Sequence, residues 1–487
     1  MASARTSLSH PLQIAAVSPG EGWGSVGITF CPGKKQPGAM TGAWDRDLGL
    51  DIEAIAAWGT STLVSLVEQH ELTSLGVTGL GAAVEAAHMS WLHLPIRDVS
   101  RPGPAFEEQW ARVGPLLRSQ LRCGFNIVVH CKGGLGRAGT IASRLLIDAG
   151  MAPADALAVV RAARPGAVET PGQEQYVLSR APVASATPST RREAIEDRAL
   201  GAFLGLAVGD ALGTTLEFAR RDAQPRVTDL VGGGPFALQP GEWTDDTAMA
   251  LALADSLAAD PILDEKDLMD RFVDWFRHGT YSCTGRCFDI GGTTRTALAS
   301  YERSGHAVAG ATDPFSAGNG SLMRLSAVAL RHWNDREQLA DVAVRQSLTT
   351  HGAAEAVSSC LAFAHILADA IEGRPRDDVL NPREMKLAPK VAQVIGGSWR
   401  GKQRHDISSS GYVVDSLEAA LWCVARTASF ADAVILAANL GDDADTVAAI
   451  TGQLAGALYG ASAIPPQWMA KLAWRGRLEA AARALLA

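Results

Sequence analysis

The sequence predicts two domains of different class: an α/β domain with a central sheet flanked by helices, then an all-α domain. Three observations carry this. At 487 residues the chain is long for one domain, and its length alone suggests roughly two to four. A seam at 180–193, "RAPVASATPSTRRE", is rich in Pro, Ala, Ser and Thr and lacks apolar periodicity, so it reads as a linker. Across that seam the texture changes from alternating strand and helix patterns to long Ala/Leu/Gly-rich helical segments. The expected boundaries are 1–180, a linker over 181–194, and 195–487.

In the first domain "STLVSLV" (61–67) and "FNIVVH" (125–130) are short apolar runs with β-branched residues, as expected of buried strands. Between them Phe106, Trp110, Val113, Leu117 and Leu121 recur at helical spacing, and Gly124 suits the helix end. In the second domain helical patterns cover 196–213, 245–259, 351–371, 412–427 and 442–460. Gly201, Gly205 and Gly209 fall four apart on one helix face, a spacing that lets a neighbouring helix approach closely.

A net charge of −8 without a basic block argues against nucleic-acid binding by bulk electrostatics. Seven scattered cysteines suit free thiols in a reducing compartment. Cys283 and Cys287 have no second pair to complete a metal site. With no signal peptide and no uninterrupted apolar run long enough to span a bilayer, the expected location is cytoplasmic and no membrane partner is expected.

The stretch "HCKGGLGRAGT" (130–140) reads as a strand end, a tight loop and a helix start. The amides of Lys132, Gly133, Gly134, Leu135 and Gly136, at the positive end of a helix, would cradle phosphate oxygens. Cys131 would there become a thiolate nucleophile, and Arg137 would fork two phosphate oxygens. His130 would hold loop carbonyls and tune the thiol. Asp98 in "LPIRDVSRP" is the candidate acid for the leaving oxygen. The bland alternative is a tight turn around a buried thiol.

Two acidic strings open helices downstream. "GEWTDDTAMALALADSL" offers Thr244, Asp245 and Asp246; "NLGDDADTVAAITGQLAGALYG" offers Asp442, Asp443, Asp445 and Thr446. Helix capping explains one such residue per helix, but adjacent carboxylates repel and over-supply a cap. Carboxylate and hydroxyl oxygens suit Mg²⁺ or Mn²⁺, and two clusters could hold a metal pair.

"HCKGGLGR", with "ITFCPGKK", "WLHLPIRD" and "RPGAVETPGQEQY", resembles the dual-specificity phosphatase superfamily over most of residues 20–180. The nearest branch is the cyclin-dependent kinase inhibitor 3-type phosphatases. The resemblance implies Cys131 as nucleophile, Arg137 as phosphate clamp and Asp98 as general acid. One departure stands out. The family has Ser or Thr after the arginine, where this chain has Ala138; Thr140 lies two residues on. Formation of a phosphocysteine should survive and its hydrolysis should slow.

"GLAVGDALGTTLEF", "GEWTDDTAMAL", "FDIGGTTR", "AGNGSLMR", "TTHGAAEA" and "NLGDDADTVAAITGQLAGALYG" resemble, in order across 195–480, the ADP-ribosylglycohydrolases of the dinitrogenase-reductase-activating type. The resemblance implies an all-α fold and two Mg²⁺ or Mn²⁺ ions held by Thr244, Asp245, Asp246, Asp443, Asp445 and Thr446. It places Glu217 at or beside the metals and gives Asp289 a role on the ribose or as acid/base. Asn319, Gly320, Ser321, Met323 and Arg324 would cradle ADP-ribose, and His351 would contact diphosphate or ribose. For His351 a core histidine, and for Asn319–Ser321 a capping turn, are the bland alternatives.

The expectation is a bifunctional hydrolase, cleaving ADP-ribosyl glycosidic bonds through its second domain and phosphoesters through its first. Its partners would be an ADP-ribosylated protein or small ADP-ribosyl substrate, and a phosphorylated protein. The alternative makes the first domain a phosphate-reading binding module.

Overall fold

The structure is a computed structural model that describes residues 4–39, 42–182 and 187–486. It forms two compact units. The first comprises the chain up to residue 186 with the segments Arg400–Gln403 and Ala425–Ala428; the second comprises the rest. Part of the expected linker, 183–186, lies outside the described residues. The first helix of the second unit starts at Arg192, inside the stretch assigned to the linker.

The first unit is α/β. Its strands are β1 (Ala15–Val17), β2 (Val26–Phe30), β3 (Lys35–Gln36), β4 (Trp44–Asp45), β5 (Thr60–Ser65), β6 (Ser90–His93) and β7 (Asn126–Cys131). Five form one sheet in the order β1-β2-β7-β5-β6, with β1 antiparallel and the others parallel. The pair β3–β4 forms a separate ribbon. Central strands of a parallel sheet are buried on both faces, which is why "FNIVVH" is apolar without alternation. Val129 joins a core with Leu117 and Leu145, while its neighbour Val128 joins Leu63 and Leu80. The helix Pro104–Arg122 buries Phe106, Trp110, Leu117 and Leu121, and Gly124 follows it at φ +83°.

The second unit is helical. Its central pair, Arg192–Gly213 and Ala444–Tyr459, meets through glycine. A Cβ on Gly205 would lie 2.3 Å from the Gly452 carbonyl oxygen, and one on Gly209 would lie 2.1 Å from that of Ala448. Only hydrogen fits at these points, so the four-residue glycine spacing is a packing device. The helices Arg192–Leu216 and Ala354–Glu372 are long and apolar enough to span a bilayer by length and composition, though charged residues such as Asp210 and Asp369 interrupt their apolar runs. Both are largely buried in the unit's core, where such composition also serves.

Candidate functional site

In the first unit, β7 ends at Cys131 and the helix Gly136–Asp148 begins five residues later. Gly134 turns the loop at φ +71°, and a Cβ there would lie 2.5 Å from the Phe30 amide. The Gly134 amide donates to Cys131 Sγ at 3.2 Å, and the Gly136 amide donates to Glu169 Oε2 at 2.7 Å. Among the described residues the amides of Lys132, Gly133 and Leu135 have no protein acceptor. Those three, more than Gly134 and Gly136, are the donors left for an anion.

Arg137 is held from behind. It donates to Glu71 at 2.6 and 2.9 Å and to the Ile96 carbonyl at 2.9 Å, and pairs with Asp98 at 2.8 Å. Burial works against ionisation of Glu71, but the Arg137 bonds keep its carboxyl below the usual range. Asp98 is the exposed partner of the pair. Glu71 was not predicted; nothing in its local sequence marks it, because its role depends on a partner 66 residues away.

Two further residues of this loop have defined surroundings. His130 is fully buried and pushed down to about 3, chiefly by that burial. It therefore tunes the thiol as no cation, and its Nε2 lies 2.6 Å from Ser65 Oγ. Thr140 donates to the Gly136 carbonyl at 2.7 Å, the back-bond usual for a helical threonine. It does not replace the hydroxyl missing at Ala138, which is itself buried in the core.

In the second unit the two acidic strings converge. The N-terminus of the helix Asp245–Ala259 is satisfied by Asp210 from the helix Arg192–Gly213. Asp210 Oδ1 accepts from the Thr244 amide and hydroxyl, both at 2.8 Å. Its Oδ2 accepts from the Thr247 amide at 3.0 Å and hydroxyl at 2.6 Å. The helix Ala444–Tyr459 is served likewise: Glu217 Oε2 accepts from the amides of Ala444 at 2.8 Å and Asp445 at 3.3 Å. Capping is thus done from outside, and no side-chain cap bond comes from Thr244 or Asp443. From within the strings, Asp445 Oδ1 also accepts from the Thr446 amide at 2.7 Å, so capping by the strings' own residues is partial.

The freed carboxylates are crowded. Oxygens of Asp210, Asp246 and Asp445 lie within 4.8 Å of one another, as do those of Glu217, Asp289 and Asp445. Burial first, and neighbouring carboxylates second, raise Asp443 and Asp445 to about 7; Asp245 and Asp246 also stand well above their ordinary value. Asp289 is raised to about 6 and Glu217 further, chiefly by burial. Among the described residues no Lys or Arg lies within ion-pair distance of these groups. Asp246 Oδ1 is buried with no partner at all. Hard oxygen donors, excess negative charge and an unpartnered buried oxygen fit a divalent cation. Asp210, saturated by four donors, positions this set; a lone acid in "GLAVGDALG" was the signal for it.

A cleft of about 820 Å³ opens onto the cluster. Glu217, Asp245, Asp289, Asp443, Asp445 and Thr446 line it, together with Asn319, Gly320, Met323 and His351. Asn319 Nδ2 donates to Asp443 at 2.6 Å, so it orients a carboxylate. His351 is held near 3 by burial and by Arg324, and is neutral. Glycines 291 and 292 open the helix Gly292–Ser304 toward the cleft, and Arg295, not predicted, adds its positive charge. A second cavity of about 520 Å³ shares Thr293, Gly318 and Gly411 with the cleft and adds Phe315 and Tyr412.

Four predicted residues stand elsewhere. Thr244 and Asp246 lie behind the cleft wall, with Thr244 Oγ1 3.2 Å from Asp445 Oδ2 and Thr446 Oγ1 3.4 Å from Asp246 Oδ2. Ser321 turns into the core, accepting from Ser347 at 2.8 Å and Cys360 at 3.4 Å. Arg324 is fully buried and donates to Gln346, Thr350 and the Gly320 carbonyl while its guanidinium faces Phe272. Neither the Ser321 nor the Arg324 side chain lines the cleft; Arg324 holds the Gly320 carbonyl of the loop that does.

Residues 191–487 match the ADP-ribosylglycohydrolase family. The chain belongs to that family. Residues 36–177 match "Swiss Army Knife protein, DSP-PTPase phosphatase domain", so a phosphatase domain of dual-specificity type precedes the glycohydrolase domain. The chain is 49% identical over 289 residues to an ADP-ribosylarginine hydrolase, Tri1, of Pseudomonas putida (strain GB-1), spanning 59% of this chain and 78% of that one. It is 36% identical over 287 residues to the ADP-ribosyl-[dinitrogen reductase] glycohydrolase of Rhodospirillum rubrum, spanning 57% of this chain and 91% of that one. A solved structure described as an ADP-ribosylglycohydrolase-related protein complex superposes with a TM-score of 0.54 at 42% identity, over 60% of this chain and 98% of that one. ADP-ribosylglycohydrolases thus account for the helical unit and its acidic cleft.

Proposed function

We propose that the glycohydrolase domain removes ADP-ribose from arginine, and that it does so with two Mg²⁺ or Mn²⁺ ions held by Asp245, Asp246, Asp443 and Asp445 with Thr244 and Thr446. The arginine linkage is taken from the name of the relative that shares 49% identity. The metal proposal is carried by one observation: Asp210 and Glu217 supply acceptors at both helix starts, and the aspartates gathered there are buried and crowded, with no cationic partner among the described residues and one Asp246 oxygen unpartnered.

Bound metal would supply an activated water and a grip on the ribose hydroxyls. The chain's own groups do the rest. Asn319 fixes the Asp443 carboxylate. The open N-terminus of the helix Gly292–Ser304, with Arg295, receives the diphosphate. Glu217 holds the Ala444 and Asp445 amides, and Asp289, raised to near 6 by burial, can exchange a proton as the glycosidic bond breaks.

For the first domain we propose phosphate capture at Cys131 followed by slow release. Arg137 and the Lys132, Gly133 and Leu135 amides bind the phosphoryl group, and Asp98 protonates the leaving oxygen. The Ala138 methyl and the back-bonded Thr140 supply no hydroxyl to the departing thiolate. A phosphate-reading module that delivers phosphorylated partners fits the same observation. The proposed setting is a reducing cytoplasm, where free thiols persist.

The test is a panel of ADP-ribosyl linkages assayed on the full chain with and without Mg²⁺ and Mn²⁺. Metal-dependent release from arginine that Asp443→Ala abolishes is expected; equal release in excess chelator contradicts the metal site. Alongside, p-nitrophenyl phosphate should give a Cys131-dependent burst with little turnover, and steady turnover would remove the binding-module alternative.

A further inference from the structure

One group at the cleft has no part in the roles above. Phe218 is exposed at 67% and lines the cleft beside Glu217. Its ring meets the edge of Phe236 at 6.3 Å, and Phe236 meets Phe288 at 5.2 Å. Each end of this row is covalently next to a cleft carboxylate: Phe218 follows Glu217, and Phe288 precedes Asp289. Phe218 and Asp289 both adopt φ +60°, an uncommon backbone for such residues and one found where side chains are forced into a site.

The middle ring is presented by a built loop. Glycines 232, 233 and 234 all have positive φ, and Gly233 and Leu238 exchange amide–carbonyl bonds at 2.8 and 3.0 Å. A Cβ on Gly232 would lie 2.4 Å from the Leu238 carbonyl oxygen, and one on Gly234 would lie 2.1 Å from that of Thr214. This tight turn is pressed against the residues that lead into Glu217. Phe218 and Phe236 line the polar cleft, with Phe288 against Phe236, and the exposed Phe218 leaves apolar surface in water unless a ligand covers it.

We infer that Phe218, Phe236 and Phe288, with Glu217 and Asp289, form the receptor for the leaving group, and that the group they fit is a guanidinium. The inference rests on the glycosidic function proposed above. On that reading the ADP arm takes the other side: the cavity with Phe315 and Tyr412 shares Thr293, Gly318 and Gly411 with the cleft and no phenylalanine of this row. That leaves the Phe218 side for the group across the scissile bond. A guanidinium is flat, weakly hydrated and always charged. Its face stacks on aromatic rings, and its edge donates to carboxylates in pairs. A serine hydroxyl has no face to stack and one donor in place of a pair, and a carboxylate leaving group would be repelled.

The experiment compares the Mn²⁺-loaded full chain with Phe236→Ala, Phe236→Leu and Phe218→Ala on ADP-ribosyl-arginine and on O-linked ADP-ribosyl-serine. Agmatine binding is measured by calorimetry on the same proteins. Expected is a fall of about tenfold in kcat/KM for the arginine substrate with the serine substrate unchanged, Phe236→Leu included, since leucine keeps bulk but loses the π face. Agmatine affinity should fall in parallel. Equal losses on both substrates, or agmatine affinity untouched by the substitutions, overturns the receptor. If the wild type cleaves neither linkage, the glycosidic function itself fails. The agmatine arm then still decides the guanidinium site: binding that Phe236→Ala removes supports it, and no binding refutes it.

Discussion

Both sites in this chain are built where helices start, yet they are wired in opposite senses. At the helix Gly136–Asp148 the loop amides of Lys132, Gly133 and Leu135 are left open, with Arg137 behind them, and the site awaits an anion. At the helices Asp245–Ala259 and Ala444–Tyr459 the amides are already filled by Asp210 and Glu217, and surplus carboxylates await a cation. The helix dipole favours negative charge at all three starts. What distinguishes them is whether the protein or the ligand provides it.

The largest expected effect breaks the cation side. Asp245→Ala or Asp443→Ala should reduce Mn²⁺ binding and glycosidic hydrolysis to the level seen in chelator, while Cys131-dependent phosphate release is unchanged. Next comes the residue that aims a ligand: Asn319→Ala should weaken Mn²⁺ binding by roughly 10–100-fold, the usual loss when the partner of a metal ligand is removed. Gly209→Ala should lower stability by about 1–3 kcal/mol or more, read as a drop in Tm, because its Cβ would lie 2.1 Å from the Ala448 carbonyl oxygen.

A pH series sharpens the comparison. Asp443 and Asp445 near 7 and Asp289 near 6 lie above the 3.8 of an unfolded aspartate. Between about pH 4 and 7 the folded, metal-free chain therefore holds more protons than the unfolded chain, and its stability falls as pH rises through that window. In chelator the loss should be on the order of a few kcal/mol, and Mn²⁺ should flatten the slope. The smallest change is on the anion side: Ala138→Ser should raise steady phosphatase turnover without altering the burst.

Much of this was legible in sequence, for identifiable reasons. Periodicity located the helix Pro104–Arg122 and the strands β5 and β7 because one buried face repeats locally. Glycine spacing foretold the close pair Arg192–Gly213 and Ala444–Tyr459. Cys131, Arg137 and the two acidic strings stand in compact motifs. What escaped were partners set by the fold: Glu71 behind Arg137, Asp210 and Glu217 as caps supplied from afar, and Arg295 and Phe236 at the cleft. Ser321 and Arg324 were placed at the ligand because a motif names neighbours without saying which way each side chain turns.

The central claim is that the aspartates at the helix starts serve a cation and not the helices. Thermal unfolding of the full chain and of Asp246→Asn, in chelator and in Mn²⁺, tests it most directly, since Asp246 is fully buried with an unpartnered oxygen. A cation site predicts that Asp246→Asn raises the Tm in chelator, by relieving carboxylate repulsion, and abolishes the rise that Mn²⁺ gives the wild type. A lower Tm in chelator with the Mn²⁺ effect intact would show that Asp246 supports the helix, and would contradict the account.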